Sequence, residues 1–322
     1  MIREARRRLG RQRGAALLMA IAATGLLAMI AAEIAGSALD ETHLADAFRD
    51  DLRARWAVQA PVALVISALR EEKEAFTSLG QKWARLDGTL TLGGIPVRFH
   101  VHDESAKINL NALASAAAAR QEGTARALKK LFDRLKLDPA LVDFLRDWID
   151  PDADARAGGS ETAYYQSLPR PYPVKNGTLD SLSELRLVRG YTPKVLRALG
   201  FPDRGEAPDL GLSGRLTLYS GETVNVNTAG RDVLLSLPDL PENAVEDLVA
   251  RRNAEPIREL ADLKKLSGMT DALYNKVAPM LGVESRFFSV ESETEGGRMR
   301  KRLLAVLKRE KEQVSIVYWR ML

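Results

Sequence analysis

An unbroken apolar run set directly against a basic leader limits this chain more than any other feature. Residues 1–13 carry Arg3, Arg6, Arg7, Arg8, Arg11 and Arg13 against one acid, Glu4, and from Ala15 to Ala32 only Thr24 is polar. Eighteen helical residues at about 1.5 Å each reach about 27 Å, close to the hydrocarbon thickness of a bilayer. A cleaved secretory signal has a shorter apolar region closed by a small-residue cleavage site, whereas this run continues into further helix. Arginines ahead of the span predict a cytoplasmic N-terminus and export of the chain beyond the span. An ordinary single-pass anchor meets the same description.

The 322 residues, 46% hydrophobic and 28% charged, predict a globular chain of about two domains beyond the span. The net charge of +4 owes much to the leader, so no chain-wide basic field argues for nucleic acid. With no cysteine, thiolate nucleophiles, disulfides and cysteine zinc sites are excluded, and three histidines supply little for a histidine metal cluster or base. Two of them, His100 and His102 in PVRFHVHDE, fall on one face of an expected strand, read as exposed.

From Asp40 to Phe76 the pattern stays helical, with Leu44, Phe48, Leu52 and Trp56 at steps of four among charged residues. Pro61 is expected to kink or interrupt this helix. Glu33, inside or near the membrane, is costly unless it faces water or a protein partner.

A basic leader ending in Gly14, followed at once by Ala15-Ala-Leu-Leu-Met-Ala and a long apolar helix, resembles the class III signal of type IV pilins and type II secretion pseudopilins. The resemblance implies cleavage by a prepilin peptidase between Gly14 and Ala15, methylation of the new N-terminus and retention of the helix. The fifth mature residue, glutamate in the major subunits, is here Met19. That departure resembles the K-type minor pseudopilin.

Residues 88–94 carry turn residues around a short apolar alternation, and Ile95–His102 reads as a strand. The next strands come late, at Arg286–Glu293, Met299–Lys308 and Val314–Trp319, separated by turn-prone or charged residues. One early strand and three late ones make the part between an insertion. Within it, Ile108-Asn-Leu-Asn111 is matched by Val224-Asn-Val-Asn227, Leu137-Asp-Pro-Ala-Leu-Val142 by Leu240-Pro-Glu-Asn-Ala-Val245, and Ser183–Gly190 by Ala261–Gly268. Two similar helical units therefore stand one after the other, and the Asn-x-Asn pairs are read as capping or bridging backbone.

The second unit also resembles the helix-hairpin-helix module of competence DNA receptors, which grips phosphate with backbone amides. Its hairpin, Leu237-Pro-Asp-Leu-Pro-Glu-Asn243, lacks the expected glycines, and Asp239, Glu242 and Glu246 repel phosphate. A packing module is the favoured reading, with a membrane-anchored DNA-binding or uptake protein as the alternative function.

The first unit carries an extra acidic loop in which Asp150, Asp152, Asp154 and Glu161 stand at positions 1, 3, 5 and 12 of a twelve-residue window, as in an EF-hand calcium loop. Ala155 replaces the turn glycine, and a proline-rich run comes next instead of a second helix. A solvated loop whose aspartates cap turns fits the same residues. No histidine, cysteine or nucleophile motif stands near these carboxylates, so catalysis is not expected.

Taken along its length, the chain resembles the K-type minor pseudopilins of type II secretion. Asp147-Trp-Ile-Asp-Pro-Asp152 is similar to a stretch in that family, and the resemblance implies calcium, with those four acids as its expected ligands. The implied fold is α+β: a pilin-like long N-terminal helix packed on an antiparallel sheet, with a large inserted all-α domain. The expected parts are a leader (1–14), a transmembrane helix (15–39), the pilin-like helix and first strand (40–107), the insert (108–283) and the last strands (284–322). The implied role is non-enzymatic: a pseudopilus tip subunit that helps to start assembly for export of folded proteins across the outer membrane. The implied partners are I- and J-type minor pseudopilins, with the H type as a further one. The implied location is the inner membrane, single-pass, with a periplasmic globular part, and no nucleic acid is expected.

Overall fold

The computed structural model describes residues 2–151, 156, 162–201, 213–221, 223–295 and 300–321, with side chains from residue 15 onward. Helix α1 (Ile2–Glu71) runs without interruption from the leader into the globular part. From Ala15 to Glu71 it is long and apolar enough to cross a membrane. Its C-terminal turns bury Ala54, Val58, Val62, Val65 and Leu69, spaced four, four, three and four residues apart, which is one helix face. Burial of each larger aliphatic side chain contributes about 1.5–3 kcal/mol. The expected break at Pro61 does not occur. Pro61 is itself buried beside these residues, so packing offsets the one backbone hydrogen bond it removes.

The covered surface is a five-stranded antiparallel sheet of β1 (Gly88–Leu92), β2 (Ile95–Asp103), β7 (Phe287–Thr294), β8 (Arg302–Glu310) and β9 (Gln313–Met321), paired in that order. Two strands precede the insertion rather than one. Gly88-Thr-Leu-Thr-Leu92, read as turn-rich from its glycines, is a strand that hairpins onto β2 through Gly93 and Gly94, both at positive φ. Val97, Phe99, Phe288, Val290, Leu303, Ala305 and Leu307 face α1, with the Trp83 ring set edge-on to Phe288 at 5.0 Å. His100 and His102 lie on the sheet's other side with rings 6.4 Å apart, and His100 Nδ1 is 2.9 Å from Asp87 Oδ2.

Between β2 and β7 the chain leaves the sheet and builds a second core. The first unit contains β3 (Ile108–Asn109), α2 (Ala118–Arg134), α3 (Ala140–Ile149), α4 (Thr162–Gln166), α5 (Pro193–Ala198) and β4 (Leu216–Thr217). The second contains β5 (Val224–Asn225), α6 (Arg231–Ser236), α7 (Glu242–Ala254), α8 (Asp271–Val277) and β6 (Leu281–Gly282). Each unit is helical apart from a two-residue parallel ladder that joins its beginning to its end, β3 to β4 and β5 to β6. The repeat holds at matching positions. Lys136 and Asp239 take positive φ before α3 and α7, Gly190 and Gly268 take positive φ before α5 and α8, and Thr192 and Thr270 cap those last helices.

Candidate functional site

The Asn-x-Asn pairs bridge backbone in the same way in both units. Asn109 Oδ1 accepts from the Asn111 amide at 3.0 Å, and Asn225 Oδ1 from the Asn227 amide at 2.9 Å. The second asparagine then makes a two-point bridge: Asn111 to the carbonyl and amide of Leu179, Asn227 to those of Ile257. Each amide side chain thus satisfies backbone groups of a loop that lacks its own ladder.

Asn225 does more. Its Nδ2 donates to Thr77 O, Ser285 Oγ and Asp103 Oδ2, at the point where the chain leaves and re-enters the sheet. Asp103 ends β2 and is 4% exposed. Its carboxylate accepts from Ser285 Oγ and Thr228 Oγ1, both at 2.5 Å, and from the Ser105 amide at 2.8 Å. Burial pushes its carboxyl above the usual range, against the pull of these hydrogen bonds. Arg309 Nη2 donates to Thr77 Oγ1 and Ser285 O, and burial lowers its pKa. Beside them Glu104 accepts from Lys107 Nζ, Thr217 Oγ1 and Ser289 Oγ, tying the end of the first unit to β7. Sequence reasoning missed this joint. Its one local signal was the alternation Val97, Phe99, Val101, Asp103, which puts an acid where the buried face calls for an apolar side chain.

The joint also fixes direction. Thr77 lies just past the C-terminal end of α1, and its amide donates to Val283 O at 2.7 Å. Nearer the N-terminal end of the packed region, Ser292 Oγ donates to Val58 O. The apolar anchor and the insert therefore sit at opposite ends of α1.

Of the processing residues, Gly14 lies within α1 with its surroundings outside the described residues, and Ala15 begins the exposed apolar stretch. Of the four expected calcium ligands, Asp152, Asp154 and Glu161 lie outside the described residues. Asp150 is described: it caps the end of α3, is 4% exposed, and pairs with Arg156 Nη1. The same guanidinium nitrogen is 2.8 Å from Asp147 Oδ1, and the Arg156 amide donates to Asp147 Oδ2. Asp147 is fully buried, one helix turn before Asp150, and belongs to the candidate site although the loop spacing did not select it. Two buried carboxylates thus meet at one guanidinium. Among the described residues no group of three or more His, Asp or Glu side chains is placed to hold a metal. Trp148 packs edge-on to Tyr165 and Tyr172, at 5.1 and 6.2 Å.

The hairpin before α7 offers little to phosphate. Pro241 caps the helix without a side-chain bond, and Glu242 and Glu246 sit in its first turns, paired with Arg231. Asp239 stands at φ 64° with its carboxylate 2.8 Å from Lys276. A phosphate brought to these amides meets carboxylates first.

Two family models match, both described as type II secretion system protein K, over residues 106–200 and 224–284. The second span coincides with the second helical unit, and the first covers the first unit as far as the end of α5. The type II secretion system protein K of Aeromonas hydrophila is 26% identical over an alignment of 331 residues that covers 97% of each chain. That of Pseudomonas aeruginosa is also 26% identical, over 74% of this chain and 69% of the relative. Among solved structures, the crystal structure of the GspK-GspI-GspJ complex from the type 2 secretion system of enterotoxigenic Escherichia coli superposes with a TM-score of 0.70. It is 19% identical and covers 87% of this chain and 99% of that one, a likeness of fold.

Proposed function

The chain belongs to the protein K family of the type II secretion system and is a minor pseudopilin, and from that premise we propose that it forms the membrane-distal tip of the pseudopilus. One observation carries this reading: the insert occupies the end of α1 opposite to the apolar anchor. A subunit added on the membrane side meets the helix and sheet of this chain, whereas one stacked beyond it meets the insert. Such a subunit starts or ends a filament and is not repeated within it. Gold-labelled antibody against the insert, applied to sheared pseudopili, is expected at one end of each filament. Label spaced along the shaft contradicts the tip position.

The solved complex contains GspI and GspJ beside GspK, which supports I- and J-type minor pseudopilins as the subunits that complete this tip; an H-type subunit is proposed as a further partner. The six leader arginines support a cytoplasmic start, an inner-membrane anchor and a periplasmic globular part. Prepilin peptidase then releases residues 1–14 at the Gly14–Ala15 bond, and intact mass of the mature chain checks this. Gly14→Val is expected to keep the leader.

Calcium is the ion that the acidic loop is built to take, with Asp150, Asp152, Asp154 and Glu161 as its ligands and Arg156 holding Asp147 and Asp150 together beside it. Bound calcium would supply a central positive charge for these carboxylates, and it takes no part in a reaction. The chain is a structural subunit and not an enzyme. Thermal unfolding should shift down on chelation and recover with calcium, by about 2.7 kcal/mol of stability when the ion is at a hundred times its dissociation constant. An unchanged midpoint contradicts the site.

A further inference from the structure

The two helical units leave a cavity of about 410 Å³ between them. Ala112, Gly123 and Ala127 wall it from the first unit, and Val224, Leu237 and Met280 from the second. Its size falls in the usual range of small-molecule pockets, about 300–1,000 Å³, and its walls are mostly apolar. No described residue of the acidic loop lines it.

Gly123 argues that the space is kept open. It is buried inside α2, where glycine holds a helix less well than alanine. A Cβ built on it lies 3.8 Å from Met280 Sδ, an ordinary contact, so close packing does not require the glycine. Alanine would fit and would favour the helix, and what it takes away is cavity volume.

Charge stands at one end. Arg126 and Lys276, both exposed, line the rim on either side of Asp239, whose carboxylate is 3.6 Å from Arg126 Nη1 and 2.8 Å from Lys276 Nζ. Lys130, one turn along α2 from Arg126, donates to Leu237 O close by. Glu242, within electrostatic reach of Lys130, is paired with Arg231. Among the described residues, this end therefore sets three cations against Asp239, an excess of positive charge. Elsewhere on the lining, the charge of Lys107 is matched by Glu104, and Arg120 Nη2 donates to Gly221 O at 2.9 Å.

An apolar cavity with a cationic rim takes a ligand with an apolar body and an anionic end, and the planar fork of Arg126 matches a carboxylate. The wall formed by α2 has its backbone groups bonded within the helix, so a peptide would leave its own amides unpaired there, whereas an aliphatic chain loses nothing. We infer that the cavity between the two helical units binds a medium-chain aliphatic carboxylate, with its chain against Gly123, Leu237 and Met280 and its carboxylate beside Arg126 and Lys276. Because both units line the cavity, the ligand also ties one to the other.

Octanoate tests this by saturation-transfer NMR on the full-length chain in nanodiscs. Saturable binding is expected, several-fold weaker for the uncharged octanamide and lost in Gly123→Leu, whose side chain fills the space. Circular dichroism checks that this variant is folded. Equal signal from the Gly123→Leu discs means partition into lipid and overturns the site, as does absence of binding to the unsubstituted chain. The double variant Arg126→Gln/Lys276→Gln, altered only at exposed side chains, should bind acid and amide alike, and a retained preference for the acid overturns the role of the rim. Acetyl-glycyl-leucine bound as tightly as octanoate overturns the aliphatic assignment in favour of a peptide terminus. Without ligand, Gly123→Ala should raise the unfolding midpoint while weakening octanoate, and a lowered midpoint contradicts a glycine kept for the cavity.

Discussion

Asn111 and Asn227 do the same work in different surroundings, so their removal should differ in cost. Each bridges an amide and a carbonyl of a distant loop, but Asn227 is 4% exposed while Asn111 is half-buried. Alanine at 227 leaves two buried backbone groups unpaired, about 1–3 kcal/mol each, while water reaches those at 111 more readily. Denaturant unfolding should show Asn227→Ala clearly more destabilised than Asn111→Ala. Asp103 adds a pH signature. Burial raises its folded pKa above the ordinary 3.8. Its contribution is therefore fully present below that value and lost as pH rises through the folded pKa, because the unfolded chain ionises more readily. Asp103→Asn should flatten this decline, and stability measured from pH 4 upward in both chains checks it. The role of Asp103 was hidden from the sequence because its partner Ser285 lies 182 residues away. Strand alternation reveals an acid on a buried face but not what satisfies it.

Elements with strong periodicity were legible, and those defined by contact were not. The long helix and the last three strands were readable from apolar spacing. Strand β1 was not, since an edge strand with half-exposed faces and flanking glycines reads as a turn. The repeat was legible in Asn-x-Asn and in the two glycines, and the structure gives the glycines a reason. Gly190 and Gly268 take φ of 81° and 76°, and a Cβ there would lie 2.5 Å from Leu141 Cδ2 and Asn243 Nδ2, respectively. Leu141 is buried in the core, while Asn243 is exposed and free to swing aside. Both alanine substitutions strain the backbone by about 1 kcal/mol or more. Gly190→Ala should cost more than Gly268→Ala, read as the larger fall in unfolding midpoint. Of the acidic loop, spacing selected Asp150 but passed over Asp147, whose place depends on the helix before it.

For the whole molecule, two cores are joined through the polar network at Asp103, Asn225, Ser285 and Arg309, at the end of α1 away from the anchor. On the tip reading, one end of the chain takes the next subunit and the other is a terminus. Composition had already excluded a basic field and thiol chemistry. The end of the helix that carries the insert could be learned only from contacts such as that of Thr77 with Val283. A terminal subunit has a consequence in stoichiometry. The full-length chain, coproduced with I- and J-type minor pseudopilins and extracted in mild detergent, can be weighed intact by native mass spectrometry. One copy of this chain with one of each partner is the expected mass, and two or more adjoining copies of this chain, or no complex, would contradict a tip subunit.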